Sequence, residues 1–333
     1  MVFSSEKIQA LQVLLDASTR VMVIAHRSPD GDAIGSSMAI AHFLRKLNKQ
    51  VEVWMPDALS KSLYTVPGSE DIKIYEGRGK EGNAVIADSD LIFCMDFNKV
   101  ERTGSVSQVL GATETPKVLI DHHLHPSEGW TLAFSDTGAS STCELVYLLI
   151  EAMGMQDKVD LDIATSIYTG LITDTGSFKY NVNPDTHRIA GELIAKGLNS
   201  ADVQGALFDT NTRDRLGLLG YTLNEKLVYH PEKDATYMTL TKEDLKRFNY
   251  KKGDTEGLVN FGLSIGGVRF TSLASEKDGV IKISFRSKGD LDVNVIAKER
   301  FGGGGHKNAA GARSEQSMNE VIAIMEDIIA KNL

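Results

Sequence analysis

Along the first two-thirds of the chain, apolar residues recur in two rhythms. Residues 5–17 space Ile8, Leu11, Leu14 and Leu15 along one face, which predicts an amphipathic helix. "RVMVIA" (20–25) follows as an unbroken apolar run, and residues 33–47 return to helical spacing with Ile34, Met38, Ala41 and Leu44. "QVEVWM" (50–55), "DLIFCMD" (90–96) and "KVLID" (117–121) are again short and bounded by polar residues, whereas 139–153 and 160–173 are predicted helices. Strands that are apolar on both faces, set between helices, predict a parallel sheet covered on both sides.

After residue 198 the texture changes. Residues 199–224 are polar and predict a helical connector. "LVYH", "ATYMTL", "RFTSLASE" and "GVIKISFRS" predict strands, and 291–300 and 316–331 predict helices. The expected organisation is an α/β domain over 1–198, a linker helix over 199–224 and a smaller α+β domain over 225–333. A chain of 333 residues suits two cores better than one.

Charge and cysteine usage narrow the function. The net charge of −9 disfavours a broad surface for long duplexes, which needs many Lys and Arg contacts to phosphate. It does not oppose a small anionic substrate, because a bound cation inverts the local charge. With Cys94 and Cys143 the only cysteines, no disulfide framework is expected. No apolar run is long enough to span a membrane, and "MVFSSEKIQALQVLLDAS" lacks the features of a signal peptide. The expected location is the cytoplasm.

The chemistry gathers at the ends of the apolar runs. "RVMVIA" leads into "HRSPDGDAIGS" (26–36), "LIFCM" into Asp96, and "KVLI" into "DHH" (121–123); Asp174 lies in "TGLITDTGSF". In an open α/β sheet these positions share one rim, where ligands bind. The candidate ligands are His26, Asp30, Asp32, Asp96, His122 and Asp174. Four such carboxylates side by side hold protons unless cations neutralise them, and two divalent ions balance them. Mixed imidazole and carboxylate donors suit Mn²⁺, Co²⁺ or Zn²⁺ better than Ca²⁺. Alone, "PDGD" reads as a turn, with Pro29 and Gly31 setting the backbone; the other three segments outweigh that reading. Gly31 is expected to turn the chain between Asp30 and Asp32. Near the C-terminus, "FGGGGH" (301–306) reads either as a flexible linker or as a loop whose N–H groups approach a phosphate.

These four segments, with "SFRS" (284–287) and "GGGGHKNAAG" (302–311), resemble the motifs of the DHH phosphoesterase superfamily and of the DHHA1 domain that follows in one subfamily. The resemblance covers nearly the whole chain. It implies an N-terminal DHH domain, a C-terminal DHHA1 domain and an active site in the cleft between them. It also implies one ion held by His26, Asp30, Asp96 and Asp174 and another by Asp32, Asp96, His122 and Asp174, both most often Mn²⁺, with Mg²⁺ or Co²⁺ as substitutes. Asp32, Asp96 and His122 thereby belong to the catalytic set. Asp121 would orient its neighbours, and His123 would contact the scissile phosphate or help protonate the leaving oxygen. Arg286, Ser287, Gly304, Gly305 and His306 would hold the non-scissile part of the substrate.

The activity implied is hydrolysis of very short single-stranded oligoribonucleotides to mononucleotides, together with removal of the 3′-phosphate of 3′-phosphoadenosine 5′-phosphate (pAp) to give AMP. Neither a long-duplex surface nor a membrane partner is expected, and a homodimer stays open. The alternative enzyme reading is a phosphodiesterase for cyclic dinucleotides or their linear products, which the same ligands would serve. A family II inorganic pyrophosphatase shares the first motifs but closes with a Lys/Arg-rich motif that differs from "SFRS" and "GGGGH". A non-catalytic nucleotide-binding module would have lost one of Asp30, Asp32, Asp96 or His122, and all four are present.

Overall fold

In the computed structural model, which describes residues 2–277 and 279–332, the chain divides into Met1–Thr210 and Asn211–Leu333. The division falls within the connector expected at 199–224.

The first unit runs α1 (Ser5–Asp16), β1 (Arg20–Ala25), α2 (Gly31–Lys46), β2 (Gln50–Met55), β3 (Lys73–Ile74), α3 (Gly79–Asp88), β4 (Leu91–Met95), α4 (Ser107–Ala112), β5 (Lys117–Asp121) and β6 (Leu132–Ser135). It finishes with α5 (Thr142–Ala152), α6 (Leu161–Asp174), α7 (Pro184–Ala195) and α8 (Ser200–Phe208). The six strands form one sheet in the order β3-β2-β1-β4-β5-β6. Every pairing is parallel, with Val23 beside Val53 on one flank and Phe93 on the other.

The strands are apolar throughout because both faces are covered. Val21, Val23, Ala25, Phe93, Met95, Val118 and Ile120 share one core with residues of α1, α2, α5 and α6. Met22, Ile24, Trp54, Ile92, Cys94 and Leu119 fill the other, with Ile86 of α3 and Leu110 of α4. Continuous hydrophobicity is therefore two interleaved period-2 patterns, one for each core.

The strand order sets the location of chemistry. Moving out from β1, the chain winds one way through β2 and β3 and the other way through β4, β5 and β6. The crevice at such a reversal, beyond the C-terminal ends of β1 and β4, is where open α/β sheets bind ligands. His26 is the residue after β1, and Asp96 is the residue after β4.

The second unit contains α9 (Arg213–Tyr221), β7 (Leu227–His230), β8 (Ala235–Leu240), α10 (Lys242–Arg247), α11 (Leu258–Gly262), β9 (Phe270–Lys277) and β10 (Val280–Ser287). It ends with α12 (Val293–Phe301), β11 (Gly304–His306), β12 (Ala309–Ser314) and α13 (Met318–Asn332). Its sheet has the order β11-β12-β10-β9-β8-β7 and is mixed, since β8 and β9 run parallel while the other pairs are antiparallel. Phe270, Phe285, Val293, Ala297, Met325 and Ile328 pack its main core.

Two local expectations change. Helix α2 begins at Gly31, earlier than the apolar spacing indicated, because Asp30 is its N-cap and accepts from the N–H groups of Asp32 and Ala33. Gly31 therefore does not turn the chain at a left-handed angle. It is small because a Cβ there would lie 2.3 Å from the Thr173 hydroxyl of α6. "FGGGGH" is not a flexible linker either. Gly302 ends α12 at φ 63°, and Gly304–His306 pair with Ala309–Gly311. A Cβ on Gly303 would meet Gly311 O at 2.3 Å, so this glycine permits close strand contact.

Candidate metal centre

The site collects residues from four stretches of chain. His26 follows β1, and its Nδ1 lies 2.9 Å from Arg27 O, which directs Nε2 inward. Asp30 and Asp32 sit at the cap and in the first turn of α2. Asp96 follows β4 with φ 61°, a left-handed conformation that Asp adopts more readily than most residues. Asp121 is the last residue of β5, followed by His122 and His123, and Asp174 ends α6.

The ligating atoms converge. His26 Nε2 is 3.3 Å from Asp96 Oδ2 and 3.9 Å from Asp30 Oδ1. His122 Nε2 is 3.2 Å from Asp174 Oδ2, 3.7 Å from Asp96 Oδ1 and 3.9 Å from Asp32 Oδ2. Three triads each gather their donor atoms within 4.8 Å: His26, Asp30 and Asp96; Asp32, His122 and Asp174; and Asp96, His122 and His123. Asp96 is common to two of them and uses opposite oxygens toward His26 and His122. Asp174 groups with Asp32 and His122, and the triad around His26 does not include it.

The electrostatics fit bound cations. Burial, reinforced by the Asp96 charge, pushes the Asp32 carboxyl up to about 7. Burial and the neighbouring Asp32 and Asp96 push Asp174 up to about 10. Asp96 resists burial because His26, His122 and His123 surround it, and it falls to about 2. Burial disfavours a charged His26, but Asp96 and Asp30 overcome that and raise it to about 9. His122 is raised against its burial by Asp32 and Asp96. The protein alone thus cannot hold this many carboxylates ionised. In addition, His26 Nε2 is buried, makes no hydrogen bond and points into the cluster, which is costly unless a ligand accepts its lone pair or proton. The donor set fits divalent ions of borderline softness.

Around these donors lies a ring of orienting contacts. Asp121, fully buried, accepts from His123 Nδ1 at 2.7 Å and so fixes the ring. Asp32 accepts from the backbone N–H groups of Thr142 at 2.6 Å and Cys143 at 2.9 Å, the first residues of α5. The Thr142 hydroxyl donates to Asp96 Oδ1 at 2.9 Å. Thr142 and its neighbours lie outside the sequence motifs. Their signal was the cap pattern Ser141-x-x-Glu144, which marks a helix start with N–H groups to offer.

In the second unit, Arg286, Ala309 and His306 stand side by side on β10, β12 and β11. Directly paired residues project to the same face, so Arg286 and His306 flank Ala309 on one surface. Ser287 does not join them. It projects to the buried face, where its hydroxyl donates to Leu291 O at 2.6 Å and accepts from Asn308 Nδ2 at 2.9 Å. Gly304 and Gly305 lie exposed on the edge strand, and the Gly305 N–H donates to Asn294 Oδ1 at 2.8 Å.

A centre of this composition at the β1/β4 crevice, with the motifs that build it, is that of a phosphoesterase: the chain belongs to the DHH family, matching the DHH N-terminal domain over residues 20–171 and the DHHA1 domain over residues 234–331. The bifunctional oligoribonuclease and PAP phosphatase NrnA of Bacillus subtilis is 29% identical over 92% of this chain and 93% of its own length. The cyclic-di-AMP phosphodiesterase GdpP of Geobacillus thermodenitrificans is 27% identical over 93% of this chain, which spans only 47% of that protein. Among solved structures, an exopolyphosphatase-related protein from Bacteroides fragilis superposes with a TM-score of 0.96 at 37% identity, covering 98% of this chain and 96% of that one.

Proposed function

We propose that this chain is a Mn²⁺-dependent phosphohydrolase that degrades very short oligoribonucleotides to mononucleotides and removes the 3′-phosphate of pAp. The observation that carries the reading is the pair of triads, His26/Asp30/Asp96 and Asp32/His122/Asp174, joined through Asp96. One divalent ion would be held by His26, Asp30 and Asp96, and a second by Asp32, His122 and Asp174 with Asp96 between them. When bound, such ions activate water and neutralise the charge that develops on a phosphoryl group. Two relatives matched over most of both chains, the NrnA proteins of Bacillus subtilis and Thermus thermophilus, are named for oligoribonuclease and PAP phosphatase activity.

The remaining roles belong to the protein's own side chains. His123, turned by Asp121, is the imidazole that meets the scissile phosphate or hands a proton to the leaving oxygen. Arg286 and His306, on one face of the second sheet, hold a non-scissile phosphate or base. A planar guanidinium gives bidentate contacts to phosphate oxygens. Residues 1–198 would supply the chemistry and 225–333 the substrate grip.

A second reading is a phosphodiesterase for a cyclic dinucleotide or its linear product, supported by the likeness to GdpP over 93% of this chain. One comparison separates the two: turnover of pAp, a linear dinucleotide, a five-nucleotide RNA, a long RNA and cyclic di-AMP, each with Mn²⁺ and with chelator. Fast release of nucleotide or phosphate from the shortest linear substrates and pAp supports the first reading. Preferred cleavage of cyclic di-AMP replaces it with the second. Turnover undiminished by chelator sinks both.

A further inference from the structure

One short segment, Gly138 to Glu144, touches three candidate ligands that come from three different motifs. Ala139 O lies 3.4 Å from His122 Nδ1, the placement that leaves Nε2 to face Asp32, Asp96 and Asp174. The Thr142 hydroxyl is on Asp96, and the Thr142 and Cys143 N–H groups occupy both oxygens of Asp32. Ser140, Ser141, Thr142, Cys143 and Glu144 are all at most 2% exposed. A helix N-terminus is thus spent on a ligand carboxylate, where its partial positive charge stabilises the ionised form.

What holds this segment is Glu144. Its Oε2 accepts from Ser140 Oγ at 2.5 Å and from Thr186 Oγ1 at 2.7 Å, and its Oε1 accepts from Asn183 Nδ2 at 2.7 Å. Asn183 also caps α7 and donates to Gly138 O at 3.1 Å. The carboxylate therefore ties the start of α5 to the start of α7, on the side away from the ligands. It touches none of them.

We propose that Glu144 is a positioning residue, which anchors residues 138–144 to α7 and thereby sets the geometry, and so the cation affinity, of Asp32, Asp96 and His122. The proposal rests on the metal-centre reading above. Outer contacts that orient metal ligands are worth about 10–100-fold in affinity, and this anchor governs three ligands at once.

The test is calorimetric titration of the full chain with Mn²⁺, with melting measured separately in chelator. Glu144→Ala takes their acceptor from the buried Ser140 and Thr186 hydroxyls and leaves Asn183 Nδ2 only Gly138 O, and its dissociation constant should rise by about 10–100-fold. Glu144→Gln keeps an oxygen for Asn183, while the Ser140 and Thr186 hydroxyls can turn to accept from the new amide. Its affinity should therefore stay nearer the parent's. Thr142→Val removes only the hydroxyl on Asp96, and it should weaken Mn²⁺ binding with little change in chelator melting. This variant, with Glu144→Gln, carries the test if Glu144→Ala does not fold. Parent-like Mn²⁺ affinity in folded Glu144→Ala overturns the proposal, since Glu144 then serves stability alone; where that variant is unfolded, parent-like affinity in Thr142→Val overturns it by showing that the segment's contact with Asp96 does not set affinity. If the parent binds no Mn²⁺, the metal-centre reading fails, and this proposal with it.

Discussion

The tightest constraint on the site is steric, and a single methyl group tests it. Helices α2 and α6 cross beside the metal centre, where a Cβ on Gly170 would lie 2.2 Å from Cys143 Sγ and 2.5 Å from Asp32 Oδ1. Carbon needs roughly 3.5 Å from such atoms, so Gly170→Ala requires movements of about 1 Å. Overpacking of this kind costs about 1–3 kcal/mol. Replacing glycine by alanine inside a helix returns about 1 kcal/mol, leaving a net loss of about 0–2 kcal/mol and a folded protein. Activity should suffer far more. Asp32 is held by two N–H groups and has no slack, and a 1 Å misplacement of a reacting centre costs about 100-fold in rate. Melting in chelator and initial rates on pAp or a dinucleotide with saturating Mn²⁺ measure the two effects. Adding Cys143→Ala relieves the sulfur contact and should restore part of the stability but little of the rate, because the clash with Asp32 remains. A folded Gly170→Ala enzyme with parent-like rate would refute the claim that the crossing fixes Asp32.

Three further outcomes are expected. Cys94 and Cys143 are fully buried, and burial pushes both thiols well above their ordinary range, so alkylating reagents should label neither in the native protein and both after unfolding. Asp90 accepts the N–H groups of Arg20 and Thr19, contacts that lower its pKa from 3.8 to about 2. A depressed carboxyl stabilises the fold fully above its unfolded value and loses that contribution as pH falls through the folded value. Asp90→Asn should therefore flatten the acid side of the melting curve between about pH 4 and pH 2; an unchanged slope there would remove Asp90 from the account. Arg286→Ala should raise KM for pAp by about tenfold or more, the worth of a charge-assisted hydrogen bond, with a smaller change in kcat, and Arg286→Lys should recover only part; a pure kcat effect would place Arg286 elsewhere in the mechanism.

The cluster of candidate ligands was legible because the residues that build it stand where apolar strands stop. His26, Asp96 and Asp121 mark the ends of β1, β4 and β5, and side-chain identity carries their chemistry. Other parts were hidden for definite reasons. Thr142 and Cys143 act on Asp32 through backbone N–H groups, which only the helix-start pattern Ser141-x-x-Glu144 marks. The smallness of Gly31 answers to Thr173, distant in sequence, so local turn chemistry pointed to the wrong cause. Ser287 adjoins Arg286, yet alternation along β10 sends it to the opposite face.

All of the proposed ligands, from His26 to Asp174, lie within Met1–Thr210, and among the described residues none of the three triads falls in Asn211–Leu333. A cation held by Asp32 of α2, His122 after β5 and Asp174 at the end of α6 would cross-link distant points of one folding unit. Its binding free energy would add to the stability of that unit, growing with the logarithm of free ion concentration. Calorimetric scans at rising Mn²⁺ should accordingly move the unfolding of Met1–Thr210 to higher temperature, and chelator should reverse the shift.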